Sequence, residues 1–347
     1  MDIFLNFWKE MLGHSQEILE RNMKFLNEVA RPVPRPKWHT KNNTILDIEQ
    51  VTLRRFSEGK DGIPTLIIPP QAGHHSNIAD YGKGQSLVEA ALKHAKGEVY
   101  VTEWKPANKK LKDKGIDDCI LSMKECINEI GGKASLVGLC QGGWQSAIYT
   151  ALYPEDVSSL VLAAAPIDCH AGKSAITDSA RSIPMSWFKA VVKQSGGIMP
   201  GEDILFGFKM MHAYDRFVKD NCNLYLNIDD ENYVKRSRKF KDWYDYTQPL
   251  PGMMYLQAVS WLFKGNRLIK GKLKILKREV RLSEINHPLY LIAGSKDDIT
   301  PQEQLFSIEK HVSSNKVEKH IVPAGHIGVF MGRKVLKEYW PKILSSI

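Results

Sequence analysis

Residues 138–143 read Gly-Leu-Cys-Gln-Gly-Gly, with a cysteine at the centre of a Gly-x-Cys-x-Gly segment. The apolar run 134-ASLVGLC-140 precedes it and the helical pattern 144-WQSAIYTALYP-154 follows it. This strand–turn–helix order describes a nucleophile elbow, where a strained turn exposes the central side chain at the carboxyl edge of a sheet. Gly138 and Gly142 supply the small residues needed where strand and helix backbones approach closely. A thiolate on Cys140 would sit at a helix N-terminus, where the dipole and free N–H groups favour negative charge. The bland alternative, a buried structural cysteine beside a glycine-rich turn, is weakened by the flanking strand and helix.

A thiol nucleophile needs a base, and the base needs an orienting carboxylate. The chain order expected with an elbow is nucleophile, acid, histidine. Asp297 follows the apolar run 288-PLYLIAG-294, and His326 follows the next run, 319-KHIVPAG-325. Both fall at the carboxyl ends of expected consecutive strands. Thr300-Pro301-Gln302-Glu303 reads as a capping box with proline at the first helical position, which would leave the upstream aspartates free. Asp298 is the competitor for the acid. Half of an oxyanion hole is expected from the Gln141 N–H and half from a backbone N–H in 72-AGH-74, taken as Gly73. His74, His75 and Trp144 are read as substrate contacts around it. No carboxylate or further histidine stands at metal-binding spacing from His74-His75, so neither a metal nor a cofactor is expected. Cys169, in Asp168-Cys169-His170, lacks a glycine elbow and reads as structural, as do Cys119 and Cys126 on one helix face.

Positioning these groups requires a sheet. Six apolar runs, at 64–70, 99–104, 134–140, 159–166, 288–294 and 319–325, alternate with helical patterns at 85–95, 115–130, 144–154, 302–312 and 334–346. Such alternation implies an α/β fold with a mostly parallel sheet covered by helices on both faces. About 120 residues separate Ile167 from the strand at Pro288 and are rich in Trp, Tyr, Phe and Met, too long for a loop. The organisation expected is an N-terminal amphipathic helix packing on the body, with its linker (1–42), a core (43–168 and 286–347) and a largely helical lid (169–285), hinged around Gly196, Gly197 and Gly201.

Of 347 residues, 43% are hydrophobic and 25% charged, which excludes a disordered or fibrous chain. The net charge of +9 invites a nucleic-acid reading, but the basic runs 109–114, 234–241 and 270–281 lie in no nucleic-acid module and read as solvated helix faces. No apolar run approaches the roughly 20 residues of a membrane helix, and Met1-Asp2-Ile3-Phe4 opens no secretory leader. Five cysteines without a CxxC pair fit a reducing cytoplasm.

From about Pro64 to the C-terminus the chain resembles the superfamily of polyhydroxyalkanoate synthases and intracellular polyhydroxybutyrate depolymerases, cysteine-dependent proteins of the α/β-hydrolase fold. The segments 138-GLCQGG-143, 225-YLNIDDENYVKR-236 and 325-GHIGVF-330 resemble the short, partner-requiring synthases. The segments 73-GHHS-76, 99-VYVTEW-104, 165-APID-168 and 328-GVFMGR-333 are more similar to the depolymerases. Asp298 stands where synthases usually carry a histidine. The resemblance implies an intracellular polyester hydrolase first, and second a synthase moving 3-hydroxyacyl groups from CoA to a growing chain. It also implies a cytoplasmic or granule-associated protein, with a homodimer or helical partner subunit in the synthase case.

Overall fold

The computed structural model describes the backbone from residue 2 and the side chains from residue 15 onward. The chain divides into two compact units, one made of residues up to 36 with 203–247, the other of 37–202 with 248–347.

The larger unit is built on eight strands: β1 (Asn43–Asp47), β2 (Val51–Arg55), β3 (Gly62–Ile68), β4 (Gly97–Trp104), β5 (Ala134–Leu139), β6 (Val157–Ala163), β7 (Leu289–Gly294) and β8 (Val317–Val322). Their order in the sheet is β1-β2-β4-β3-β5-β6-β7-β8. β2 pairs antiparallel with both β1 and β4, and the strands from β4 onward run parallel. The central strands are mostly apolar, as expected of a parallel sheet covered on both faces. Leu66, Ile67, Leu136, Val137, Leu160, Val161, Leu291 and Ile292 are all fully buried. In register, Ile68 lies beside Gly138, Gly138 beside Leu162 and Leu139 beside Ala163. The carboxyl ends of β3, β5 and β6 therefore meet at one edge, and those of β7 and β8 continue it. This mostly parallel sheet is the expected α/β architecture; the antiparallel β1 and β2 are additions to it.

The smaller unit holds the N-terminal helix Asp2–Val29 with helices Asp220–Leu226 and Glu231–Tyr244. Of the apolar stripe expected to pack, Ile18, Leu19, Met23 and Leu26 are exposed, and the residues that pack are Arg21, Phe25 and Glu28. Arg21 donates to the carbonyls of Tyr225 and Leu226, Phe25 meets Tyr225 edge-on at 5.5 Å, and Arg238 donates to Glu28. The earlier residues of that stripe, Phe4 to Leu12, lie outside the described side chains.

The stretch 169–285 is largely helical and is shared between the two units. Ile198 and Met199 pair antiparallel with Pro251 and Leu250, and Gly252 donates to the Gly197 carbonyl at 3.1 Å. Gly197, one of the glycines expected to hinge a lid, is thus tied through its carbonyl to Gly252. The basic run 270–281 is a hairpin of Lys274–Ile275 and Arg278–Glu279, not a helix face. Among the described residues no helix is long and apolar enough to cross a membrane.

Candidate active site

Cys140 occupies the turn between β5 and helix Gln141–Leu152, with φ 50° and ψ −113°. A non-glycine residue in this region stores about 1–3 kcal/mol of backbone strain, held by its surroundings. The Cys140 N–H donates to the Ala163 carbonyl and its own carbonyl accepts from Gly143 N–H, both at 2.9 Å. Close approach fixes the glycines. A Cβ on Gly142 would lie 1.9 Å from the Ile68 carbonyl oxygen, and one on Gly143 would lie 2.3 Å from the Ala165 Cβ. The helix can start this near the sheet only without those side chains.

The loops after β7 and β8 are stitched together. Ser295 N–H donates to the Val322 carbonyl at 2.8 Å and Lys296 N–H to the Ala324 carbonyl at 3.0 Å. This brings Asp297 to His326, whose Nδ1–H donates to Asp297 Oδ2 at 2.8 Å. Asp297 Oδ1 accepts the N–H groups of Ile299 at 3.0 Å and Thr300 at 2.8 Å. The expected Thr300 cap is therefore corrected: helix Gln302–Phe306 has no side-chain cap, and Asp297 takes up the amides of the turn before it. Asp298 is exposed while Asp297 is buried. Phe330 meets the His326 ring edge-on at 5.4 Å and 90°, which fixes the ring plane.

Burial works against an imidazolium at His326. The charges of Cys140 and Asp297, with hydrogen bonds to both, outweigh it and hold the histidine up at about 10, above its usual 6.5. His326 and Asp297 thus form a hydrogen-bonded pair on the carboxyl edge of the sheet, with Cys140 near enough for its charge to act on the histidine. Cys119 and Cys126 are buried, and burial pushes their thiols up to about 12; Cys169 is likewise buried and raised, while Cys222 is exposed.

The loop after β3 carries Gly73, which is buried with φ +83° and whose carbonyl accepts from Gln248 N–H at 2.8 Å. Gln141 opens its helix, so its N–H has no intrahelical acceptor. Two expected substrate contacts are corrected. His75 is 1% exposed, with Nε2 on Glu103 Oε1 at 3.1 Å and Nδ1 accepting Asn77 N–H at 3.1 Å, so its ring is engaged inside the protein. Trp144 is also 1% exposed and belongs to the packing of its helix. His74 stays half-buried.

Sequence reasoning missed Glu103, a carboxylate 3% exposed near the end of β4. Burial would raise it, but hydrogen bonds from His75 and Arg54, and their charges, bring it down to about 2. The available signal was a lone acid closing the apolar run 99-VYVTEW-104. Among the described residues no group of His, Cys, Asp and Glu is placed to hold a metal ion. An open cavity of about 760 Å³ lined by Tyr153, Arg278 and Arg281, among others, lies near the amino end of β6, away from Cys140.

A family model described as "Protein of unknown function (DUF3141)" matches residues 13–347. Among curated relatives, the poly(3-hydroxyalkanoate) polymerase subunit PhaC of Allochromatium vinosum is 24% identical over 96% of this chain and 95% of its own length. That of Haloarcula marismortui is 23% identical over 86% of this chain, which spans 63% of the relative's length. Among solved structures, a monoacylglycerol lipase of Paleococcus ferrophilus covers 86% of this chain and 98% of its own, with a TM-score of 0.55 at 17% identity. A hydrolase from Pseudomonas aeruginosa covers 88% and 97%, with a TM-score of 0.51 at 15% identity. The fold is that of the α/β-hydrolases.

Proposed function

The chain belongs to the DUF3141 family, whose description assigns no chemistry, and we propose that it is a cysteine-dependent acyltransferase that carries 3-hydroxyacyl units as thioesters on Cys140 and passes them to a polyester hydroxyl. The observation that carries this reading is a thiol on a left-handed elbow whose charge acts on a half-buried, carboxylate-held histidine.

In this reading the Cys140 proton resides on His326, and the thiolate attacks the carbonyl of an acyl-CoA thioester. The N–H groups of Gln141 and Gly73 hold the oxyanion, each worth about 10²–10³ in rate. As the tetrahedral species collapses, the imidazolium returns its proton to the departing CoA sulfur, leaving acyl-Cys140. His326 then takes the proton of an incoming hydroxyl, which attacks the acyl carbonyl and frees the thiol. Asp297 keeps the ring in the tautomer that makes both transfers possible. The near-full-length match to a relative named as a polymerase subunit supports transfer to a hydroxyl, not to water. The word subunit in that name supports a partner polypeptide, and the reading places the protein at a polyester granule in the cytoplasm with a second copy or a helical subunit.

Hydrolysis, with water in place of the hydroxyl, is the second reading. It is favoured by Asp298 standing directly after the acid, where the synthases resembled by this chain carry histidine. Purified protein incubated separately with 3-hydroxybutyryl-CoA and with amorphous poly(3-hydroxybutyrate) decides. Cys140-dependent CoA release with polymer growth supports transfer. Acid released from polymer, without CoA turnover, supports hydrolysis. No acylation of Cys140 from either substrate overturns both.

A further inference from the structure

Two sequence segments, 73-GHHS-76 and 99-VYVTEW-104, of which the proposed chemistry uses only the Gly73 N–H, meet in the structure. The loop between them and Cys140's edge leaves β3 at Ile68, passes Gly73 and ends in the short helix Ser76–Ala79. Residues 103 and 104 of β4 grip it at both ends. At the near end the Trp104 indole N–H donates to the Pro69 carbonyl at 3.0 Å. At the far end the Trp104 backbone N–H donates to Ser76 Oγ at 3.0 Å, and His75 Nε2 reaches Glu103 Oε1 at 3.1 Å. His75 Nδ1 simultaneously caps the short helix through Asn77 N–H.

Glu103 anchors this grip to the frame. Its second oxygen accepts from Arg54 and, at 3.2 Å, from the Trp38 indole N–H. Arg54 extends to Asn42 Oδ1 at 2.9 Å and lies over the Trp38 ring at 5.6 Å, and that ring meets His75 edge-on at 5.8 Å. The Arg54–Glu103 ion pair contributes little net stability against an apolar replacement, so its use here is better accounted for by geometry than by stability. The only segment between the two grips is 70–74, which includes Gly73.

We propose that the buried His75–Glu103 pair is a positioning device that fixes the Gly73 N–H as an oxyanion donor, making His75 and Glu103 positioning residues for acyl transfer although neither touches the substrate. This deepens the acyltransferase reading and rests on it. A donor displaced by a fraction of an ångström loses the developing oxyanion while leaving the thiol itself untouched.

Alkylation and acylation of Cys140 separate these effects, because iodoacetamide attack builds no oxyanion and thioester attack does. His75→Asn keeps an oxygen able to cap Asn77 and loses the reach to Glu103. Its acylation rate with 3-hydroxybutyryl-CoA should fall about 10²-fold, the scale of one oxyanion donor, with iodoacetamide alkylation within about twofold of wild type. Glu103→Gln should behave alike; if it does not fold, His75→Asn decides alone. A merely structural role predicts that both rates fall together with the folded fraction, measured by circular dichroism, and this would overturn the proposal. So would unchanged acylation in a folded His75→Asn protein while wild type acylates. Wild-type protein that alkylates but never acylates overturns the acyltransferase reading and this inference with it.

Discussion

Replacing Asp297 with asparagine tests the site at the point where the structure makes the sharpest demand. The two carboxylate oxygens are committed to different partners. Oδ1 accepts the N–H groups of Ile299 and Thr300, and Oδ2 accepts Nδ1–H of His326. An asparagine has one oxygen and one NH₂. Two backbone donors hold the oxygen at the turn, so the NH₂ must face His326 Nδ1. That nitrogen must then accept, which puts the ring proton on Nε2, the nitrogen left to serve Cys140. The imidazole can no longer take the thiol proton, and it loses the neighbouring charge that helps hold it near 10. The wrong tautomer in a comparable triad lowers turnover about 10⁴-fold, and we expect about 10³–10⁴ here, or about 4–5.5 kcal/mol of barrier. Steady-state release of CoA from 3-hydroxybutyryl-CoA measures it, with thermal unfolding as a check that the turn survives. Asp298 is exposed, and Asp298→Asn should change turnover less than about threefold. A folded Asp297→Asn protein retaining a tenth of wild-type turnover, or a larger loss at Asp298, would refute the reasoning.

Four further outcomes follow from the same geometry. Gly142→Ala should abolish turnover and lower the melting temperature, since its Cβ would stand 1.9 Å from the Ile68 carbonyl; normal activity in the purified variant would break the elbow argument. Under native conditions a thiol reagent should modify Cys140 and the exposed Cys222 but spare the buried Cys119, Cys126 and Cys169, and only Cys140 labelling, read by peptide mass spectrometry, should track loss of activity. Turnover should decline as pH rises through about 10, where His326 loses the proton it must return to the leaving group, while alkylation of the thiolate should not decline there. The same raised value gives native stability that is complete below pH 6.5 and lost as pH climbs through about 10, so the urea midpoint of wild type should fall relative to His326→Gln over that window.

What could be read from the sequence depended on how local the physics is. The strands β3 to β8 were legible because each is an apolar run bounded by turn residues, and the order of Cys140, Asp297 and His326 followed from strand ends. β1 and β2 were not, because 43-NTILD-47 is a half-exposed edge strand with no strong apolar run. The N-terminal helix was visible as a helix, but the contacts of Arg21 and Glu28 were not, because their partners lie some 200 residues away, beyond any local pattern. Thr300 satisfied every local rule for a cap and was outcompeted by Asp297, already drawn to the turn by His326. His75 was misread because its partner, Glu103, is 28 residues distant on another strand.

Asp297 and Glu103 solve the same physical problem in different loops. Each must tie a loop to a fixed frame while aiming a histidine ring, and each does so by dividing its two oxygens between those duties. A carboxylate suits this because both oxygens accept, with about four lone-pair sites between them. An amide of identical shape must reverse one hydrogen bond, and an apolar residue must abandon both partners inside the protein. Amide substitutions at these positions therefore preserve packing while inverting one polar contact, so their effects should appear in proton transfer and oxyanion binding before they appear in unfolding. That separation makes the two carboxylates more informative targets than Cys140 itself, whose removal silences the site without saying how its parts are held.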